Sequence, residues 1–347
     1  MLSMQFNFHN FIGVSLRSRS ARVLDFVRHE FKFFQVEQLE PEMPVVSIQF
    51  ESRLFPGRSR VGFTRYVHKG LMRWDYTIAF SEDRIDIDVV CDPIAIPLVF
   101  HFLIEPAMRY LAAQRGTLMM HASCVSLHSE SFVFVGGRSG GKTSVALGIL
   151  QPGNQGWKMQ GDDKVFLTGK GQTFSYLTRP QLGHSNTIQE VPGLRDRLSI
   201  TAVWQVRLFS LVRRVTRDRL KGAYRLALEG PSVAIHPSAA QAKALLFLAY
   251  QSKMHPAVLT IAPSSENVER LMTINAVEVN MFRTLVRKSG CVPDYDVWWQ
   301  TWQAAERRTL ENWIGHVPVY TVSLPDLDED RPGYYQKLRK ELLQIAE

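Results

Sequence analysis

The chain has 347 residues, 45% of them hydrophobic, which is enough to bury a substantial core in two domains or in one large domain with an extension. Its 41 Lys and Arg against 33 Asp and Glu leave a formal net charge of +8, which suits phosphates, nucleic acid or a membrane surface without choosing among them. The 3 cysteines, Cys91, Cys124 and Cys291, are widely separated and form no C-x-x-C pair, so the pattern excludes a zinc finger and a disulfide framework and points to a reducing cytoplasm.

The N-terminal stretch mixes Arg17, Arg19, Arg22 and Asp25 with aromatics and lacks the apolar run of a signal peptide. Residues 1–113 read as a small β-rich region. Val45–Phe50, Trp74–Phe80 and Arg84–Val90 are its strands, the last opening with the period-two alternation of a half-buried antiparallel strand. The apolar stretch Ile94–Leu103, interrupted by Pro97 and His101, is too short to span a bilayer, and no membrane span is expected. Leu98–Ala113 carries helical spacing with a kink at Pro106.

Residues 114–347 form the second predicted domain, closed by a helix over Tyr334–Ile345. Leu118–Leu127 reads as one strand, joined at hairpin spacing by His128-Ser129-Glu130-Ser131 to the strand that ends at Val135. Gly136-Gly137-Arg138-Ser139-Gly140-Gly141-Lys142-Thr143 follows, a complete G-x-x-x-x-G-K-[ST] phosphate loop, and a helix starting near Lys142 runs on through Ser144. Glycines at these positions let successive backbone N–H groups turn toward phosphate oxygens. Lys142 adds a point charge near the β and γ phosphates, the Thr143 hydroxyl is a Mg²⁺ ligand, and the helix aims its positive end at the same anion. An antiparallel hairpin feeding such a loop departs from the parallel βαβ unit in which the loop usually occurs.

Farther on, Asp162 and Asp163 precede the short strand Val165–Leu167. The segment before them, Trp157-Lys158-Met159-Gln160, is not read as the apolar strand that ordinarily ends in a metal-side aspartate. Residues 205–221 are strongly basic, with Arg213, Arg214 and Arg217 as candidates to dock an acidic substrate or partner, against the plainer reading of a solvated helix face. Ala240–Leu248 reads as a helix and Val317–Leu324 as a late strand, and Trp298, Trp299, Trp302 and Trp313 read as packing.

The combination of His121 in Met120-His121-Ala122-Ser123, the Gly136–Thr143 loop, the Asp162-Asp163 pair and Thr178-Arg179-Pro180 resembles the HPr kinase/phosphorylase group, and its kinase-like relatives more than HPr kinase proper. The resemblance covers about residues 110–250 and extends to the strand at 317–324. It implies an α/β fold with a mixed sheet, of the phosphoenolpyruvate carboxykinase and HPr-kinase-like kind. It also implies ATP- and Mg²⁺-dependent phosphoryl transfer to a hydroxyl, a serine of a protein or peptide. By the same resemblance Asp162 is the base, Asp163 joins Thr143 on the metal side, and His121 holds an aspartate in place. The stretch Leu177–Gly183 lacks the Glu-Arg-Gly type signature of HPr kinases, so HPr as substrate and phosphorolysis do not carry over.

Two alternatives stay open at this level: a kinase of a small hydroxylated metabolite, and a nucleotide-binding switch or assembly ATPase. The chain has neither an Asn-Lys-x-Asp guanine motif nor a Leu-Ser-Gly-Gly-Gln transporter signature. A nucleic-acid partner would rest on charge alone and is not expected; a homo-oligomer is compatible with the sequence.

Overall fold

The computed structural model describes residues 1–53, 61–137, 140–150, 156–182, 186–191, 193–216, 224–226, 234–250, 258–261, 264–324 and 331–346. The chain forms two compact units of mixed α/β structure, Met1–Met119 with Asn275–Leu310, and Met120–Ile274 with Glu311–Glu347.

In the first unit β1 (Leu2–Phe8) and β2 (Ile12–Ser18) form an antiparallel hairpin. Helix α1 (Ala21–Glu30) is capped by Ser20, and β3 (Gln35–Val36) returns beside β1. Next come β4 (Val45–Ser52), β5 (Thr64–His68), β6 (Met72–Ser81) and β7 (Arg84–Cys91), giving a mixed sheet in the order β3-β1-β2-β4-β7-β6-β5. The strands expected at Val45–Phe50, Trp74–Phe80 and Arg84–Val90 are β4, β6 and β7. Burial alternates from Arg84 to Val89 and then becomes continuous, so β7 begins half-buried and ends with both faces covered.

The helical stretch after β7 differs from expectation in two ways. Its irregularity is a π turn at Phe100–Ile104, between α2 (Ile96–Val99) and α3 (Glu105–Gln114), one turn before Pro106. Pro106 has no N–H to continue a regular ladder, and the widened turn before it accommodates the ring. The stretch also does not stop at Leu103: Pro93–Gln114 is 22 residues long, long and apolar enough by length and composition to cross a membrane, and it is mostly buried inside the protein. Helix α3 packs on β2, β4 and β7.

The chain leaves the first unit through β8 (Thr117–Met120). A break at His121-Ala122 separates it from β9 (Ser123–Leu127), so the single strand expected over Leu118–Leu127 is two. The hairpin expected next is present: β9 pairs antiparallel with β10 (Glu130–Val135), with Leu127 opposite Glu130 and His128 left-handed at φ 54° in the turn. Helix α4 (Lys142–Ile149) starts where the phosphate loop predicts. Then follow β11 (Trp157–Gly161), β12 (Val165–Thr168), β13 (Gln172–Phe174), β14 (Gln181–Leu182), α5 (Asn186–Glu190), α6 (Leu194–Arg197), α7 (Ile200–Val215), β15 (Tyr224–Arg225), β16 (Ala239–Tyr250), β17 (Val258–Ile261), α8 (Ser265–Ser289), α9 (Tyr295–Ile314), β18 (Val319–Leu324) and α10 (Arg331–Ala346).

The sheet of the second unit contains the run β11-β9-β10-β16-β13-β12, with β18 beside the second half of β16 and β17 beside β18. Its central strand, β16, corrects the helix expected at Ala240–Leu248. Ala and Leu favour helix, but β16 is flanked by β10 on one side and by β13 and β18 on the other, and Ala244–Phe247 are fully buried, so packing overrides propensity. The late strand is present as β18, and the closing helix as α10.

The segment Asn275–Leu310 corrects the expected division at residues 113 and 114. It belongs with the N-terminal part of the chain because its aromatics complete that core. Trp298 lies 5.8 Å from Phe80, and Trp302 lies 5.4 Å from Tyr110, ring centre to ring centre. Tyr76 donates its hydroxyl to the Leu285 carbonyl. Buried Arg109 forms a two-point pair with Glu306 at 2.6 Å for each contact, and Trp302 Nε1 also donates to Glu306. The tryptophans at 298, 302 and 313 are packing residues, as expected.

Candidate functional site

Strand direction builds the site. β9 runs antiparallel to both β10 and β11, so β10 and β11 point the same way and their C-terminal ends lie at one edge of the sheet. The glycine-rich loop leaves the first end, and Asp162 follows the second. This corrects the sequence reading that the aspartates only precede a strand: Trp157–Gly161 is itself a strand, with Trp157, Met159 and Gln160 buried. Its interleaved Lys158 and Gln160 conceal an apolar strand pattern, and Gln160 is buried because its amide is fully paired.

That pairing anchors the strand end. Gln160 Nε2 donates to the carbonyls of Thr173 (3.2 Å) and Ser238 (3.0 Å), and its Oε1 accepts from Thr173 Oγ1 at 2.8 Å and from Cys124 Sγ at 3.2 Å. Ser131 and Thr173 hydroxyls share a further bond of 2.7 Å. A satisfied buried network of this type ties β9, β10, β11 and β13 together and sets where Asp162 emerges.

In the loop, Gly140 N–H donates to the Gly137 carbonyl at 3.0 Å, and a Cβ on Gly140 would stand 2.8 Å from that same oxygen. Only glycine makes this close approach. Gly141, left-handed at φ 80°, then opens α4. Lys142 is buried and folded back on the loop, its Nζ donating to the Gly136 carbonyl at 3.0 Å and to that of Gly137 at 3.2 Å. Thr143 and Ser144 are half-buried in the first turn of α4, while Arg138 and Ser139 lie outside the described residues.

The central contact of the site joins loop and carboxylate. Thr143 Oγ1 donates to Asp162 Oδ1 at 2.9 Å, and Ser123 Oγ donates to the same oxygen at 2.8 Å. Ser123 stands opposite Phe134 at the end of β10, while its neighbour Cys124 stands opposite Gly161, so the strand between the two ends supplies the second hydroxyl. Burial drives the Asp162 carboxyl above the usual carboxylate range and the neighbouring Asp163 charge adds to this, while the Ser123 and Thr143 hydroxyls and Lys142 oppose it.

Asp163 faces a different set of groups. Its backbone is left-handed at φ 70°, and its side chain, 37% exposed, has Oδ1 at 3.2 Å from His121 Nδ1 and Oδ2 at 2.9 Å from Lys164 Nζ. The turn needs glycine before it: a Cβ on Gly161 would meet the Lys164 carbonyl oxygen at 2.3 Å. His121 is buried in the break between β8 and β9, so it lies at a strand break and not within a strand.

The structure therefore brings Lys142, Thr143, Asp162, Asp163 and His121 to one edge, where Thr143 is hydrogen-bonded to Asp162, and Asp163 is hydrogen-bonded to Lys164 and lies 3.2 Å from His121. Sequence reasoning did not select Ser123, Gln160 or Lys164. Ser123 sits in the quoted Met120-His121-Ala122-Ser123 segment, but its proximity to Asp162 follows from strand pairing alone. Arg179 is half-buried beyond Tyr176, whose backbone bridges Gly161. Of the basic candidates, Arg213 and Arg214 lie in the last turn of α7 and Arg217 lies outside the described residues.

Lys142, Thr143 and Asp162 are the residues that could hold a phosphate and a hard cation such as Mg²⁺. Among the described residues no group of three His, Cys, Asp or Glu is placed to hold a metal by protein ligands alone. A hydroxyl and one carboxylate beside a phosphate loop is the sparse protein contribution that Mg²⁺ takes when phosphates and water complete its shell. Comparison with known proteins gives no matching family model and no curated protein of significant similarity.

Proposed function

We propose that the chain is an ATP- and Mg²⁺-dependent kinase that transfers phosphate to a hydroxyl, a serine of a protein or peptide, on a phosphoenolpyruvate carboxykinase and HPr-kinase-like P-loop fold. The observation that carries the reading is the Thr143–Asp162 hydrogen bond. It joins the last residue of the loop motif to a carboxylate at the end of a strand running in the same direction as the loop strand, the relation by which P-loop nucleotide-hydrolysing and transferring sites hold Mg²⁺.

In this reading the loop and Lys142 bind the β and γ phosphates, Lys142 exchanging its contacts with the Gly136 and Gly137 carbonyls for phosphate oxygens. Thr143 and Asp162 would hold Mg²⁺, which supplies neutralisation of phosphate charge when bound. The contact pattern favours a division of labour opposite to the one the family resemblance implies. Asp162, buried and bonded to Thr143, belongs to the metal side. Asp163, more exposed and held by His121 and Lys164, takes the proton of the acceptor hydroxyl as that oxygen bonds to the γ phosphorus. The bond from the γ phosphorus to the β–γ bridging oxygen breaks, and ADP leaves with that electron pair.

The test is incubation of the purified protein with γ-labelled ATP, Mg²⁺ and a lysate of its own host. Phosphoserine on a protein or peptide, lost in Lys142→Ala, supports the proposal. Label recovered only on a small metabolite, or ADP release with label only in inorganic phosphate, overturns it in favour of the metabolite kinase or the ATPase.

A further inference from the structure

Helix α7 carries two apolar faces, one buried and one exposed. Ala202 and Val206 are buried, whereas Ile200, Trp204, Leu208, Leu211 and Val215 are between 55% and 75% exposed. At 100° per residue these five fall within an arc of about 80°, on the side of the helix away from Ala202 and Val206. They form a straight apolar stripe along the whole helix. Arg207 and Arg214, both exposed, line one edge of it, with the Arg207 guanidinium 5.8 Å from the centre of the Trp204 ring. No acidic residue occurs in the helix.

We propose that this face of α7 binds the surface of an anionic lipid membrane, lying in its plane. The stripe is convex and unbroken, as a planar, deformable surface requires, and cationic flanks beside a Trp and Leu face are the chemistry of interfacial helices. The charge is complementary: two exposed arginines, no carboxylate on the helix, and a chain of net charge +8. Position links the helix to the phosphate loop. Arg197, two residues before the Ser199 cap of α7, donates to the Leu150 carbonyl at the C-terminal end of α4. A membrane-bound α7 therefore holds the loop helix from its far end. The inference is independent of the proposed kinase reading.

The test is sedimentation of the full chain with vesicles of phosphatidylcholine alone, and of phosphatidylcholine with about one third phosphatidylglycerol. The wild-type chain should bind the anionic vesicles and prefer them strongly to the neutral ones. Trp204→Ser with Leu208→Ser should weaken binding at least tenfold with an unchanged melting midpoint, because both side chains project from the fold. Arg207→Gln with Arg214→Gln should remove most of the preference, about fivefold per arginine, and added salt should do the same. Wild-type chain that stays in the supernatant with both vesicle types overturns the proposal. So does an oligomer that Leu208→Ser disperses without any vesicle binding, since the stripe is then an interface between copies of the chain.

Discussion

The hydroxyl of Thr143 and the carboxylate of Asp162 are hydrogen-bonded at 2.9 Å, so the buried aspartate and not the exposed one stands against the first turn of the loop helix. Asp163, one residue on, turns instead to His121 and Lys164. The two adjacent carboxylates should give separate phenotypes. Asp163→Asn is expected to lower the transfer rate by roughly 10²–10⁴, the scale of general acid–base catalysis, with nucleotide affinity within a few-fold of wild type. Asp162→Asn is expected to weaken Mg²⁺-dependent nucleotide binding as well. Calorimetric titration with a non-hydrolysable ATP analogue, beside a transfer assay, separates them; the reverse pattern would return the base role to Asp162.

Lys142→Ala should abolish transfer and weaken nucleotide binding, because the ammonium faces phosphate charge in both the ground and the transition state. The ligand-free fold should change little in stability. The lysine donates to loop carbonyls that water can satisfy when it is removed. Unchanged turnover in this variant would refute the nucleotide-enzyme reading as a whole.

Stability should depend on pH through Asp162. Burial raises its carboxyl above the ordinary value, so the native state keeps the proton to higher pH than the unfolded chain does. The stability this contributes is present below the ordinary carboxylate value of about 4 and is lost as pH rises through the raised one. Asp162→Asn in metal-free buffer should therefore flatten the loss of stability that sets in as pH rises above about 4. An unchanged pH dependence of the melting midpoint in the variant would mean that Asp162 does not set it.

In the first unit, Arg109→Met should strand the buried Glu306 carboxylate, which would keep only the Trp302 indole as a polar partner from the pair's present contacts. A destabilisation of about 3–5 kcal/mol is expected from breaking such a pair on one side. Denaturant unfolding should show it, and Arg109→Met with Glu306→Leu should recover much of the loss. Equal stability of the single variant and wild type would show that the pair is dispensable.

The helix that starts at Lys142 after the glycine-rich loop, the β9–β10 hairpin and the strands β4, β6 and β7 of the first unit were legible in the residues because each is a local rule. Glycine spacing, a turn between two apolar runs, and alternation along β7 need no knowledge of distant chain. What failed was decided by neighbours. Ala239–Tyr250 is a strand because other strands flank it on both sides, whatever alanine and leucine prefer alone. Trp157–Gly161 is a strand although Gln160 interrupts its pattern, since Thr173, Ser238 and Cys124 satisfy that amide from other elements. Asn275–Leu310 joins the N-terminal unit because Trp298 and Trp302 find their partners at Phe80 and Tyr110, far away in the chain. The Asp162-Asp163 pair itself could be seen in the sequence. Which carboxylate meets Thr143 could not, because that depends on the direction of β11 relative to β10, a relation carried by the backbone hydrogen bonds of the strand between them.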